Sequence, residues 1–508
     1  MGEGRSDVGE GKSELLIGVD IGTSGTSGVI ARPDGEVVAT AEKDHAVRLP
    51  RPGWVEHDAE EDWWDGFVAV CSELLDQADG KVAALSISGI GPCLLAAGGG
   101  GRPLRPGILY GVDTRATKEV EELTDRYGNE EIMEVGGNPL TAQSVGPKIL
   151  WLRRNEPEVW QETRYLLMAH TFIVHRLTGE YVLDHPSASM CDPIYDVGKY
   201  QWVESWAEDV APGLELPALR WPSEVAGVVT KEAAEKTGLP AGIPVTTGTT
   251  DAFSEAVSVG VREPGDLMLM YGTTMATLEI SEEALVTRSL WSTAGLFEDT
   301  YALFAAMSTS GALTDWVRQI CGGKSFGELT EKARKVASGS EGLLVLPYFA
   351  GERTPVSDPK ARGVICGLTL SHGQGHLYRA MLEATAFGVR HLFEAMGEAG
   401  GRKKRLVAVG GGTKGGLWTQ IVSDTIGEAQ ELPEQSIGAS YGDALLAGIT
   451  SDLVEADADW SRIVETVEPD PSQQEVYDEL YAVYRDLYTA TRAQAHTLAD
   501  LQHRQGEA

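Results

Sequence analysis

Short apolar runs broken by glycine open the chain: LLIGVD, a GTSGTSG turn, GVIA, a PDG turn, then VVATAEK. Runs of that length between turn residues predict a three-stranded β-meander. From Asp62 to Asp76 (DWWDGFVAVCSELLD) the spacing becomes helical, and VAALSISGI then reads as a buried strand. Helical and strand signals keep alternating, which predicts layered α/β architecture. Trp, Pro and Tyr crowd the stretch from Pro186 to Pro222, expected as an insertion over the core. Near the C-terminus Val476, Tyr477, Leu480, Tyr481, Val483, Tyr484, Leu487 and Tyr488 recur at helical spacing, as in an amphipathic helix docked by its Tyr/Leu stripe. The last dozen residues are polar and expected to fray.

The pattern also repeats. Residues 15–30 (LLIGVDIGTSGTSGVI) and 266–280 (DLMLMYGTTMATLEI) share an apolar strand, a Gly-Thr-Ser/Thr turn and a second strand. Thr23 and Thr273 stand about half the chain apart, the spacing expected of two similar lobes produced by duplication and facing one another across a cleft.

Composition narrows the class. With 42 Lys+Arg against 76 Asp+Glu the net charge is −34, a field that repels nucleic-acid phosphates and anionic membranes. A hydrophobic share of 42% suffices for sizeable cores. Five scattered cysteines show neither zinc nor redox spacing. The polar start, MGEGRSDVGEGKS, has no apolar stretch for a signal peptide and reads as a flexible leader over residues 1–13. A cytoplasmic, multidomain protein is expected.

Two phosphate-loop motifs are weighed first. GEGKS lacks the leading glycine of a P-loop, since Ser6 stands there, and it precedes the first strand. Gly410-Gly411-Gly412-Thr413-Lys414-Gly415 satisfies GxGxxG between a strand and a helix. Too little chain follows for a dinucleotide fold, so it reads either as a nucleotide-approaching loop or as tight strand–helix packing. Asp20 ends the first strand and runs into Gly22-Thr23-Ser24. Small residues let amides and hydroxyls reach phosphate oxygens, and the carboxylate suits hydrated Mg²⁺. An ordinary hairpin is the alternative, but the matching Gly272-Thr273-Thr274 turn favours a phosphate clamp. Asp251 follows the small-residue run TTGTT where a helix begins. It reads as an N-cap when taken alone. Beside a phosphate clamp it reads as the base for a substrate hydroxyl. Phosphoryl transfer is largely dissociative, so no strongly raised pKa is expected to be needed. Trp54 and Glu56 in RPGWVEHD and Asp113 and Arg115 in YGVDTRA read as pocket groups; Asp113 and Arg115 share one face of an extended segment, where they bind sugar hydroxyls or pair with each other.

The chain resembles the FGGY carbohydrate kinases, most closely their xylulokinase-like branch. The likeness runs in order through GVDIGTS, PGWVEHDAEEDWW, YGVDTRA, GPKILWLRRNEPE, TGTTDA, PGDLMLMYGTT, the stretch Tyr348–Phe387, VGGGTKGGLW and GASYGDALLAG. It implies two actin-like (ribonuclease H-like) α/β lobes around a central cleft, spanning 14–256 and 257–492, with a polar tail over 493–508. It also implies ATP with Mg²⁺ and phosphoryl transfer to a hydroxyl of a small sugar or polyol. By motif position Asp251 carries over as base and acceptor contact. Asp20, Thr23 and Ser24 carry over to the first phosphate turn, with Asp20 on the metal, and Gly272, Thr273 and Thr274 to the second turn. Gly411, Gly412, Thr413, Gly442 and Asp443 fall on the adenosine side. Asp113 and Arg115 carry the substrate expectation, and a homodimer is left open. Three positions depart from the pattern. Ser27 replaces a Lys common in relatives, and Ile90, Gly91 and Pro92 stand where xylulokinases carry Gln-Met-His. Ala252 follows the base where Asn or Gln is usual. The transfer residues therefore stay in place while the acceptor wall changes. The rival readings are a silent sugar- or nucleotide-sensing member of the fold and, from the GxGxxG, a nicotinamide dehydrogenase.

Overall fold

The computed structural model describes residues 14–434 and 437–506. The leader with its GEGKS motif, residues 435–436 and the final residues 507–508 lie outside the described residues. The chain forms two compact units. The first holds residues up to Gly260, Leu296–Glu298 and Ile437–Trp460; the second holds the remainder. Residues 437–460, expected with the C-terminal lobe, thus cluster with the first unit.

The expected meander is present in the first unit as β1 (Glu14–Ile21), β2 (Gly25–Ala31) and β3 (Val37–Asp44), paired antiparallel. VAALSISG lies in β4 (Lys81–Gly89), parallel to β1. With β5 (Val225–Val228) and β6 (Pro244–Thr246) the sheet order is β5-β6-β4-β1-β2-β3. Thr249–Thr250 adds a short parallel pairing to β4. Leu15, Leu16, Ile17, Val19 and Ile21 of β1 are all buried, the near-continuous apolar run of a central strand covered on both faces. The helical stretch from Asp62 is a π-helical turn that leads into α1 (Asp65–Gln77).

In the second unit the order is β9-β10-β8-β7-β11-β12-β13. The strands are β7 (Asp266–Tyr271), β8 (Met275–Ser281), β9 (Trp291–Ala294), β10 (Tyr301–Ala306), β11 (Arg405–Val409), β12 (Gln430–Pro433) and β13 (Ile463–Val467). The sequence echo is a structural one. In each unit an antiparallel hairpin is followed outward by two parallel strands and one antiparallel strand. Both units are thus α/β lobes of the actin-like class.

Two helices show how the sequence sets close approach. The helices α2 (Asp251–Ser258) and α6 (Ala439–Thr450) pack on each other, and α6 also lies on β1 and β4. Between them in chain order come α3 (Gly311–Ile320), α4 (Gln374–Glu398) and α5 (Leu417–Ile426) of the second unit. A Cβ on Gly18 would stand 1.9 Å from the Ser440 carbonyl, and one on Gly442 would stand 1.9 Å from the Ser254 carbonyl. Any side chain at either place would drive backbone from backbone.

The C-terminal α7 (Gln474–Gly506) buries Tyr477, Tyr481 and Tyr484 against the second core, as its stripe predicts. Its polar end departs from expectation, because residues 493–506 continue the helix and do not fray. Ala499 is fully buried, His496 bonds Asp358 at 2.7 Å, and Gln502 accepts from Arg362 at 2.7 Å. A small-residue face with polar ties docks a helix without an apolar stripe. Among the described residues no helix is long and apolar enough to cross a membrane.

Gly442→Ala is expected to lower the melting temperature clearly, since overpacking against fixed backbone costs about 1–3 kcal/mol. Gly327→Ala is the control. No atom lies within 4 Å of its added Cβ and the residue is helical, so it should be neutral or stabilise by up to about 1 kcal/mol. Equal unfolding curves for Gly442→Ala and wild type would refute the close-approach argument.

Candidate active site

Register places the first carboxylate. Asp20 pairs with Ser88 across the parallel β1–β4 ladder, and the Ser88 hydroxyl stands 2.9 Å from Asp20 Oδ1. Beyond Asp20 the turn is held by Gly22 N–H donating to the Gly25 carbonyl at 2.8 Å. His45 straps it twice, through its amide to the Ser24 carbonyl and through Nε2 to the Gly22 carbonyl, each at 3.0 Å. Thr23 is half-buried and Ser24 exposed, so both present hydroxyls from a backbone that is already fixed.

Thr249–Thr250 runs beside Ser88 and Gly89 of β4 and delivers Asp251 to the start of α2. Thr250, not Asp251, occupies the N-cap position, and Asp251 Oδ1 accepts the Ala252 amide at 2.8 Å. Two carboxylates from opposite ends of the first unit's main segment are thereby neighbours. Burial pushes Asp251 up to about 8, with the Asp20 charge adding to the rise, and burial pushes Asp20 up to about 6. The transfer itself asks for no strongly raised pKa, yet desolvation beside a like charge raises Asp251. The Thr250 hydroxyl, buried next to Asp251, has no partner among the described residues.

Asp113 and Arg115 take the pairing alternative. The guanidinium meets Asp113 Oδ2 at 2.7 Å and Glu56 Oε1 at 2.8 Å, and it lies 4.0 Å from the Trp54 ring centroid. The Val55 amide also donates to Asp113, and neither side chain retains any exposure. Their polar atoms are consumed within this network, so no open face is left for a sugar. Ile90 and Pro92 are buried as well, and a Cβ on Gly91 would stand 2.3 Å from Thr250 Cγ2. Lys148 in GPKILW was given no role by its motif, yet it is buried with Nζ donating to the Ala142 carbonyl at 2.6 Å. Burial pulls it down to about 8, against the opposing charge of Asp113.

The second unit holds a cavity of about 850 Å³, within the size range of small-molecule sites. Tyr271, Gly272 and Thr273 form one wall, Gly411, Gly412 and Trp418 another. The Gly272–Thr274 turn is braced by the start of α3: Ser310 and Ala312 amides donate to the Thr273 carbonyl and the Gly311 amide to the Gly272 carbonyl. Gly410 has φ +96° and its Cβ would stand 2.7 Å from the Tyr271 carbonyl, so the loop needs glycine there. Thr413 turns its hydroxyl back to the Gly410 carbonyl at 2.9 Å. Gly311 and Ala312 were missed because single small residues at a helix start carry no distinctive signal. Gly442 and Asp443, expected on the adenosine side, lie instead in the first unit. There Asp443 is fully buried and bonded to Ser88 and Ser254.

Residues 15–258 match the N-terminal domain, and 267–451 the C-terminal domain, of the FGGY family of carbohydrate kinases. The xylulose kinase of Escherichia coli K12 is 30% identical over 86% of this chain and 90% of its own length. The glycerol kinase of Thermococcus onnurineus is also 30% identical, over 87% and 90%. The crystal structure of xylulose kinase from Rhodospirillum rubrum superposes with a TM-score of 0.88 at 32% identity, covering 95% of this chain and all of that one. With both domains matched in order over two lobes of the expected class, the chain belongs to the FGGY family of carbohydrate kinases.

Proposed function

We propose that the protein transfers the γ-phosphate of ATP to a hydroxyl of a small sugar or polyol, with Asp251 orienting that hydroxyl and accepting its proton. The observation that carries this reading is the Asp20–Asp251 pair, two desolvated carboxylates that repel each other at adjoining strand ends. No salt bridge to either is found among the described residues, and the hydrogen bonds from Ser88 to Asp20 and from the Ala252 amide to Asp251 offset only part of the cost of burial. Perturbed acids of this kind mark working sites. In this reading ATP occupies the cavity of the second unit, its phosphates held by Gly272–Thr274 and the Gly411–Gly412 loop. The first unit's own turn carries the hydroxyls of Thr23 and Ser24 beside Asp20. The reading places the enzyme in the cytoplasm, with small-molecule partners and neither nucleic acid nor membrane.

The donor set fits Mg²⁺. All the groups are hard oxygens, and no cluster of three or more His, Cys, Asp or Glu suited to a metal occurs among the described residues. That suits an ion which takes one or two carboxylates and completes its shell with water and phosphate oxygens. Asp20 would hold it, and the bound ion would neutralise charge on the phosphates. Asp251 does the rest with a short side chain at a fixed helix start. In a largely dissociative transfer it orients the hydroxyl first and takes the proton late. A carboxyl raised to about 8 accepts the hydroxyl proton only in its ionised form, which is the minority form at pH 7, and the apparent values belong to the pair. The Thr250 hydroxyl offers the substrate a second polar partner. Ile90, Gly91, Pro92 and Ala252 stand where xylulokinases carry polar residues, so D-xylulose is not expected to be the best acceptor.

Asp251→Asn should cut kcat by at least about 10²–10⁴-fold. Its melting temperature should move the other way. The folded pKa lies above the unfolded one, so wild type loses stability as pH rises from about 4 towards 8. The variant escapes that loss, and its advantage should widen between pH 5 and pH 8. A pH-independent decrease with near-normal kcat would leave only a structural role.

Asp20→Ala should lower turnover and raise the Mg²⁺ concentration needed for half-maximal rate. An unchanged Mg²⁺ requirement would remove Asp20 from the metal.

ADP release across ketopentoses, aldoses, pentitols, tetritols and glycerol should show a higher kcat/KM for some short acceptor than for D-xylulose. A site without the polar partners loses about a hundredfold in discrimination. D-Xylulose leading the panel by a wide margin would overturn the assignment.

A further inference from the structure

Asp443 enters the first unit on α6, late in the chain, yet its carboxyl is enclosed by elements that carry the reactive groups. Oδ2 accepts the Ser88 amide at 3.1 Å and stands 2.6 Å from the Ser88 hydroxyl. Oδ1 accepts the Ser254 hydroxyl at 2.7 Å. Ser88 is the register partner of Asp20 and reaches its Oδ1 at 2.9 Å. Ser254 lies one helical turn after Asp251, on the same helix. A single carboxyl therefore sits one side chain away from Asp20, through Ser88, and ties down, through Ser254, the helix that Asp251 begins. Packing does not ask for an acid here. The helix segment Ala439–Gly448 is otherwise built of small and apolar residues apart from Ser440 and Tyr441, and Asp443 is fully buried. Burying a carboxyl is unfavourable unless it is bonded, and its three bonds all run to the strand and helix that end at the site.

We propose that Asp443 is a positioning residue for phosphoryl transfer, fixing the Asp20 carboxylate through Ser88 and the start of α2, with Asp251, through Ser254. The proposal rests on the reading of Asp20 and Asp251 given above. It separates two arms. The Ser88 arm acts on whatever Asp20 holds, and the Ser254 arm acts on the acceptor side.

Asp443→Asn replaces one acceptor oxygen by a donor, so it breaks one arm at a time while keeping shape. Ser88→Ala and Ser254→Ala cut the arms singly. The expected result for Asp443→Asn is a kcat about 10–100-fold lower, as for residues that orient ligands from behind, with the KM for ATP unchanged. Ser88→Ala should weaken Mn²⁺ binding to the protein with a non-hydrolysable ATP analogue, read by electron paramagnetic resonance. Ser254→Ala should leave Mn²⁺ binding intact and lower kcat. A merely structural Asp443 predicts a lower melting temperature with wild-type kcat and Mn²⁺ affinity in the folded protein, and that result overturns the proposal. If Asp443→Asn fails to fold, the two serine variants decide, and wild-type values for both overturn it. The underlying reaction is judged separately in the same assay. A wild type that phosphorylates no acceptor refutes the reaction, while Mn²⁺ binding by Ser88→Ala still reports on the Ser88 arm.

Discussion

A helix can rest backbone to backbone on a strand only where the strand lacks a side chain, and β1 meets that condition at Gly18. The rest of the first unit follows from that contact. With α6 pressed onto β1, Gly442 meets α2, and Asp443 comes within reach of both Ser88 and Ser254. The central strand thus holds Asp20 at one end and the supporting helix along its length. A methyl group at either glycine would lift α6 and loosen all of these together.

The two units solve opposite problems with one topology. In the first, the strand that enters the hairpin ends in an acid, and the site is made of desolvated charge. In the second, the equivalent strand ends in Met270-Tyr271, and the site is made of backbone amides, glycines and aromatic walls. In the proposed reading, charge that reacts and surface that holds are kept on separate copies of the fold. The desolvated acids lower the stability of the first copy, while the second gains from burying Tyr271 and a Tyr stripe in its core.

Much of this was legible from local pattern. The meander, the helix after Asp62, the second hairpin and the placing of Asp251 beyond TTGTT all depend on neighbours in sequence. What was not legible depends on residues far apart. Asp113 and Arg115 read as pocket groups until Glu56, Val55 and Trp54 are seen to absorb them. Asp443 sits among residues of the second unit in sequence and among those of the first in space. The raised pKa of Asp251 follows from its burial and then from the Asp20 charge, neither of which a local motif could reveal. Residues 493–506 were read by polarity, and their docking rests on Ala499 and on Asp358, which lies far upstream.

The discontinuous make-up of the first unit has a consequence for synthesis. Its sheet and most of its helices are translated by Gly260, but the helix that covers β1 arrives only with residues 437–460. Translation at ~5–20 residues per second leaves the β1 face uncovered for roughly 10–40 s. During that interval Leu16, which shares the Gly18 face and lies against Gly448 of α6, keeps its apolar character and its need for a cover. Nascent chains must keep that face from other nascent chains, by chaperone or by delay. The burden falls on the ribosome-bound stage, before any substrate could help.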